Sequence, residues 1–199
     1  AFYEAWAKNL FKFVTTNNLR LDFFSWHRYS RDINTFLDDV TKLNLVLDQF
    51  PNLKVSLETM ITEAGHDSEI DAGYDGMYSA AHTVHLSRML ANQATRVFLF
   101  EIEDGKGPDD KAFWGRWGLF THPDTGSIAK PRYDALALLE QLSTNRLSIT
   151  GEGSWVKALA AQKDTSTQVL LANYDSKGKH AELVPVTFTA LTNQNFTLS

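Results

Sequence analysis

Five residues, Ile61-Thr62-Glu63-Ala64-Gly65, hold the group best placed to do chemistry. The apolar run from Val55 to Ile61 reads as a buried strand and ends in a carboxylate with glycine close behind. A glutamate at the C-terminal tip of a buried strand is where a barrel enzyme keeps a catalytic group. Glu63 is therefore the candidate nucleophile; the plain alternative is a solvated glutamate where a strand enters a loop. Alternation along Leu21 to Tyr29 puts Phe23, Ser25, His27 and Tyr29 on one side and Phe24 and Trp26 on the other. His27 and Tyr29 are thus placed to orient a nucleophile or a substrate, or else to pack as a hydrogen-bonded histidine and an amphipathic tyrosine. Glu101, Glu103 and Asp104 cluster at the tip of a later strand, and for the last two a solvated acidic loop is an equal expectation. Trp114 and Trp117 come next in a loop, where they either meet substrate or bury against helices. His82 and His85 lie three apart on a helix, a spacing that can bind metal, but no third ligand accompanies them. His66 and His122 are expected to be solvated loop residues.

The elements that must position these groups are read from periodicity. Glu4 to Thr15 reads as an amphipathic helix stopped by Asn17-Asn18. Leu21 to Tyr29 is a strand expected to be buried on both faces. A second helix, capped by Asp32 or Asn34, runs to about Phe50 with Phe36, Leu37, Val40, Leu43 and Leu47 inside. Pro51 breaks the chain before the strand leading to Glu63. A polar loop, His66 to Gly76, precedes a helix from about Met77 to Ala94 and a strand from Val97 to Ile102. A glycine-rich loop then leads to a last helix with Pro131 in its first turn and Tyr133, Leu136, Leu139 and Leu142 as its buried stripe. Strands alternating with helices imply βαβ units and a parallel sheet. Beyond Gly151-Glu152-Gly153 the pattern changes to three antiparallel strands, Trp155 to Gln162, Gln168 to Tyr174 and Leu183 to Thr189. The expected boundary lies between 147 and 152, giving units 1–148 and 149–199.

Composition narrows the function classes. The 199 residues are 43% hydrophobic and carry a net charge of -5, so no basic footprint for nucleic acid or an anionic membrane exists. The chain has no cysteine, which removes thiolate catalysis and cysteine-ligated metals and leaves the compartment open, secretion or another extracytoplasmic location included. No apolar run approaches the about 20 residues that span a bilayer. Asn195-Phe196-Thr197 is a weak glycosylation triplet.

From Leu21-Asp-Phe-Phe-Ser-Trp-His-Arg-Tyr29 onward the chain resembles the C-terminal half of retaining clan A glycoside hydrolases, closest to family 39, the β-xylosidase and α-iduronidase group. Ser25, Trp26, His27 and Tyr29 match the end of that family's sixth barrel strand, and Thr62-Glu63 its nucleophile motif. Trp117-Gly118-Leu119 and Lys130-Pro131-Arg132-Tyr133 match its last loop and helix start. Val156-Lys-Ala-Leu-Ala160 and Val169-Leu-Leu-Ala-Asn-Tyr174 are similar to the opening strands of its β-sandwich. The resemblance implies an α/β fold, the C-terminal half of a (β/α)8 TIM barrel followed by a partial antiparallel β-sandwich. It implies retaining hydrolysis of a β-linked, xylosidase-like oligo- or polysaccharide through a glycosyl-Glu63 intermediate, with no cofactor and no metal. His27, Tyr29, Glu101, Trp114 and Trp117 would bind substrate.

Two departures accompany the resemblance. The family's acid/base sits in an Asn-Glu pair, and no Asn-Glu dipeptide occurs in this sequence. Where the family has a Trp on its last strand, this chain reads Phe98-Leu99-Phe100-Glu101. An eight-stranded barrel takes about 250 residues, whereas the barrel-like part here supplies three strands. The expectation is therefore a complementary N-terminal barrel half, from the same longer polypeptide or another chain; alone, the piece would expose apolar edges and be poorly soluble and inactive. The rival readings are a non-catalytic carbohydrate-binding or structural protein on the same scaffold, and an inverting or non-glycosidic barrel enzyme using Glu63 as a base.

Overall fold

The computed structural model describes residues 2–189 and Thr197; Asn195 and Phe196 of the glycosylation triplet lie outside the described residues. The described residues form a mixed α/β structure with one parallel and one antiparallel sheet, each of three strands. In the parallel sheet, β1 (Phe23–Tyr29), β2 (Glu58–Gly65) and β3 (Arg96–Leu99) lie side by side in chain order. The helices α1 (Glu4–Thr16), α2 (Asn34–Leu47) and α4 (Met77–Leu90) alternate with them. Their apolar stripes close one core against Trp26, Ile61 and Ala64 of the strands.

The helix boundaries have local causes. The side-chain amide of Asn17 donates to Phe13 O at 2.8 Å and Asn18 takes a left-handed φ of 50°, so the paired asparagines end α1 as read. Ala7, Phe11 and Val14 form its inner face, and the Phe11 ring meets the edges of Phe24 and Phe50. Asp32 accepts the Asn34 N–H at 3.0 Å and opens α2. That helix stops at Leu47 rather than Phe50, and Pro51 starts a short helix, α3 (Pro51–Ser56), instead of merely breaking the chain. Val55 belongs to α3 and is 91% exposed, so the run from Val55 to Ile61 is not one buried strand. Proline at a first helical position gives up an N–H that would be unpaired anyway. Helix α4 likewise ends at Leu90, short of Ala94.

Strand β1 is not buried on both faces. Trp26 is in the core, but Phe23, Ser25 and His27 are exposed, because helices cover only one side of this sheet. Arg28 reaches that covered side and forms a two-pronged ion pair with buried Asp39 of α2, at 2.6 and 2.5 Å. Strand β3 ends at Leu99; Ile102 is outside it and exposed.

After a long irregular loop, α5 (Pro131–Gln141) packs beside α4. The second sheet is β4 (Arg146–Leu147), β5 (Val156–Lys163) and β6 (Ser166–Asn173), all antiparallel. Its third strand is therefore β4, not residues 183–189, which form no strand, with Leu183 fully exposed. Leu159 and Ala172 of this sheet pack on Ala80, Val84 and Ala135 of α4 and α5. Just beyond β6, the Tyr174 hydroxyl donates to Arg31 O at 2.6 Å and meets Tyr78 Oη at 2.9 Å. No helix among the described residues is long and apolar enough to cross a membrane.

Candidate active site

The tip of β2 is built around an irregularity. Trp26 pairs with Ile61 but His27 pairs with Glu63; on the other side Ile61 pairs with Val97 and Ala64 with Leu99. Thr62 is the extra residue of a bulge. Ile61 and Ala64 are both fully buried, three apart rather than two, which simple alternation forbids. An extra residue re-aims the side chains after it, and here it turns Glu63 to the face that carries His27 and Tyr29. The Tyr29 hydroxyl donates to Glu63 Oε2 at 3.0 Å, and His27 Nδ1 lies 3.4 Å from the same oxygen. The Glu63 side chain is 31% exposed. Burial and then the Glu63 carboxylate push the Tyr29 hydroxyl above its ordinary range, so it stays a donor.

The wall behind Tyr29 is tight. A Cβ at Gly65 would stand 2.3 Å from Tyr74 Oη and 3.0 Å from the Tyr29 ring. Gly65→Ala is expected to cost about 1–3 kcal/mol, the range for overpacking, read as a lowered urea midpoint at unchanged slope. Tyr74 donates to Asp67 O at 2.6 Å, with burial pushing its hydroxyl up to about 12. His66 is not solvated: it stacks on Tyr74 with ring centroids 3.9 Å apart and bonds Asp71 Oδ1 through Nε2 at 3.0 Å. The loop folds back over α4, and burial pulls His66 down to about 4. His122 is three-quarters buried and caps the turn at 123–125, its Nδ1 accepting the Asp124 N–H. His82 is buried with Nε2 on Ser30 O at 3.0 Å, and His85 packs edge-on against Tyr174. No group of three metal ligands occurs among the described residues.

Glu101 lies directly after Phe100 at the end of β3. Its N–H donates to Trp117 O at 3.1 Å, and its own carbonyl accepts the Leu119 N–H. Burial raises its pKa; Arg116, 3.6 Å away, opposes this, and the charges of Asp104 and Glu63 add to the rise. Glu101 and Glu63 therefore share one electrostatic neighbourhood. Glu103 is exposed, but Asp104 is fully buried: it accepts the Gly118 N–H at 2.7 Å and pairs with Lys130 Nζ at 2.5 Å. Trp114 and Trp117 are half-buried around Arg116, whose guanidinium lies 5.3 and 3.9 Å from their rings. Trp117 also donates to Asp67 O and rests against Phe100. Leu99 faces the helix core, so the strand's aromatic on the other side is Phe98, half-exposed.

Residues that sequence patterning passed over complete the site. On α5 the buried positions are Arg132 and Ala135, while Tyr133 is 41% exposed; the inner stripe is shifted to Arg132, Ala135, Leu139 and Leu142. Lys130 is buried between Asp75 and Asp104 and bonds Arg116 O at 3.0 Å. Asp75 in turn accepts the Gly115 N–H at 2.6 Å. Hydropathy scores these charges as surface, and the resemblance at Lys130-Pro131-Arg132-Tyr133 marks a helix start without giving either charge a role.

No protein-family model matches this sequence, and no curated protein matches it. Solved structures do. A family 39 β-xylosidase from Caulobacter crescentus superposes with a TM-score of 0.63 at 22% identity, over 83% of this chain and 36% of its own. A family 39 enzyme from Xanthomonas axonopodis pv. citri gives 0.69 at 19% identity, over 96% and 39%. The chain is family 39-like in fold. A glucosidase from Croceicoccus marinus gives 0.67 at 21%, over 84% and 36%. At such identities the likeness is one of fold, and this family 39-like chain spans little more than a third of each solved chain.

Proposed function

We infer that the family 39-like chain is the C-terminal part of a (β/α)8 barrel, residues 1–148, followed by the opening of a β-sandwich, residues 149–199. Joined to a complementary barrel half, from the same longer polypeptide or a second chain, it forms a retaining β-glycosidase, xylosidase-like in substrate, that acts on oligo- or polysaccharides. The observation that carries this reading is the Tyr29–Glu63 hydrogen bond at a bulged strand tip.

The chemistry rests on that geometry. Glu63 Oε2 is occupied by Tyr29, and Oε1 has no hydrogen bond among the described residues, so Oε1 is the attacking oxygen. It forms the bond to the anomeric carbon as the glycosidic C–O bond breaks. A second carboxylic acid, in the complementary half and about 5–5.5 Å from Glu63, gives its proton to the leaving oxygen. Water then attacks the same carbon, that carboxylate takes the water's proton, and Glu63 leaves with net retention. Glu101 binds sugar hydroxyls, His27 orients sugar or nucleophile, and Trp114 and Trp117 line the rim. Two carboxyl groups suffice, so the step draws on no cofactor.

A 2-deoxy-2-fluoro-β-xyloside with a dinitrophenolate leaving group tests this in the completed barrel. One glycosyl mass is expected on the peptide containing Glu63, and none after Glu63→Gln. Sugar binding without labelling would favour the non-catalytic scaffold, and an inverted first-formed anomer would favour Glu63 as a base.

A further inference from the structure

Three separate segments meet at the Glu63 site: the bulged tip of β2, the end of β3 before Glu101, and the loop carrying Trp117. One side chain touches all three. Arg132, on the first turn of α5, is 1% exposed. Its Nη2 donates to Ala64 O at 2.8 Å, the carbonyl next to Glu63. Its Nη1 donates to Phe100 O at 2.9 Å, in the peptide leading into Glu101, and to Trp117 O at 3.1 Å. Its Nε donates to Thr83 Oγ1 on α4 at 3.3 Å. A planar guanidinium fixes the mutual directions of its donors, which an ammonium cannot do.

The arrangement is costly as mere packing. No Asp or Glu among the described residues forms an ion pair with Arg132; its immediate partners are carbonyls, a hydroxyl and, 5.3 Å away, the Tyr74 ring. A buried cation without a carboxylate is expensive, and burial draws this one down to about 10, still charged at neutral pH. Lys130, two residues earlier, is neutralised by Asp75 and Asp104. An apolar side chain at 132 would pack α5 on α4 at lower cost. It would leave the three carbonyls without a common tether.

We propose that Arg132 is a positioning residue for glycoside cleavage: it fixes the Ala64 carbonyl, and so the aim of Glu63, to the same point as the Glu101 and Trp117 segments. The catalytic purpose rests on the glycosidase reading; the tether itself does not. Its positive field also reaches the Tyr29 hydroxyl that holds Glu63.

The test is Arg132→Lys, which keeps the charge and removes the directed fork, read in two independent ways. The amides of Gly65, Glu101 and Gly118 belong to the peptides whose carbonyls Arg132 binds, and their nitrogen and proton resonances in the completed barrel are expected to shift together. In the completed barrel, the rate constant for labelling Glu63 with the fluoroxyloside is expected to fall about 100-fold, the scale of a 1 Å misplacement, with its half-saturating concentration little changed. Unmoved amides, or an unchanged labelling rate, would overturn the proposal. A parent that takes no label overturns the glycosidase reading and with it the catalytic purpose, while the amides still decide the tether. Should Arg132→Lys not fold, Thr83→Val keeps the arginine and removes its Nε acceptor. The same three amides are then expected to move in concert by less, and their immobility would sink the idea.

Discussion

Glu63→Gln in the completed barrel is expected to lower turnover of an aryl β-xyloside by about 10⁴-fold or more, the scale seen when a covalent nucleophile is removed. The replacement is isosteric, and an amide oxygen still accepts the Tyr29 hydroxyl, so the hydrogen bond at 3.0 Å and the bulge that aims the side chain should survive. The ability to form an ester with the anomeric carbon disappears. The unfolding midpoint should hardly move, and steady-state kinetics with a matched thermal melt separates the two quantities. Glu63→Ala adds a sharper readout. Azide fits the vacated space and attacks the same carbon from the same side, so it should restore turnover and give the glycosyl azide of opposite anomeric configuration. A Gln variant that retains most of its rate would remove Glu63 from the mechanism.

The second large effect is acid sensitivity. Burial pulls His66 down to about 4 and His82 to about 3, against 6.5 for the free side chain. Below about pH 6.5 the unfolded chain takes up two protons that the folded chain refuses, so the unfolded state binds more protons and stability falls as pH falls. The loss continues until the folded histidines titrate near 4 and 3. Two protons correspond to about 2.7 kcal/mol per pH unit in that window. Native domains hold only about 5–15 kcal/mol in total, so the chain should approach its unfolding midpoint near pH 4 without denaturant. His85 is also lowered by burial, to about 4, and adds a third proton over the same window. Urea titrations at pH 7, 6 and 5 check the slope, and His82→Gln, which can still donate to Ser30 O, should lower it by about a third. A flat profile between pH 6 and 5 would show that the two rings do not stay neutral inside.

Much of this was legible in advance, and the exceptions share a cause. The order of strands and helices, the Asn17-Asn18 stop and the glutamate at a strand tip all come from local periodicity and cap chemistry. The orientation of Glu63 does not, because counting from Ile61 sends it to the helix side; the bulge at Thr62 exists only in the pairing of β2 with β1 and β3. Val55 reads as strand because α3 is a single short helix in which Leu53 meets the core and Val55 faces solvent. Tyr133 reads as core because patterning cannot know that Arg132 is wanted inside. His66 reads as loop surface, and Asp104 as either loop surface or a site carboxylate, because nothing local shows a loop folding back onto α4 or closing over Lys130. Each error concerns a residue whose environment is assembled from distant segments.

The contact between Tyr174 and Arg31 bears on how chains of this fold can be recombined. Arg31 lies two residues past Tyr29, and its carbonyl takes the Tyr174 hydroxyl. The antiparallel module thereby props the turn that follows Tyr29, the partner of Glu63. Swapping in a foreign module would remove that donor unless the incoming sequence brings its own phenol to the same spot, so the parallel and antiparallel sheets exchange best as a pair.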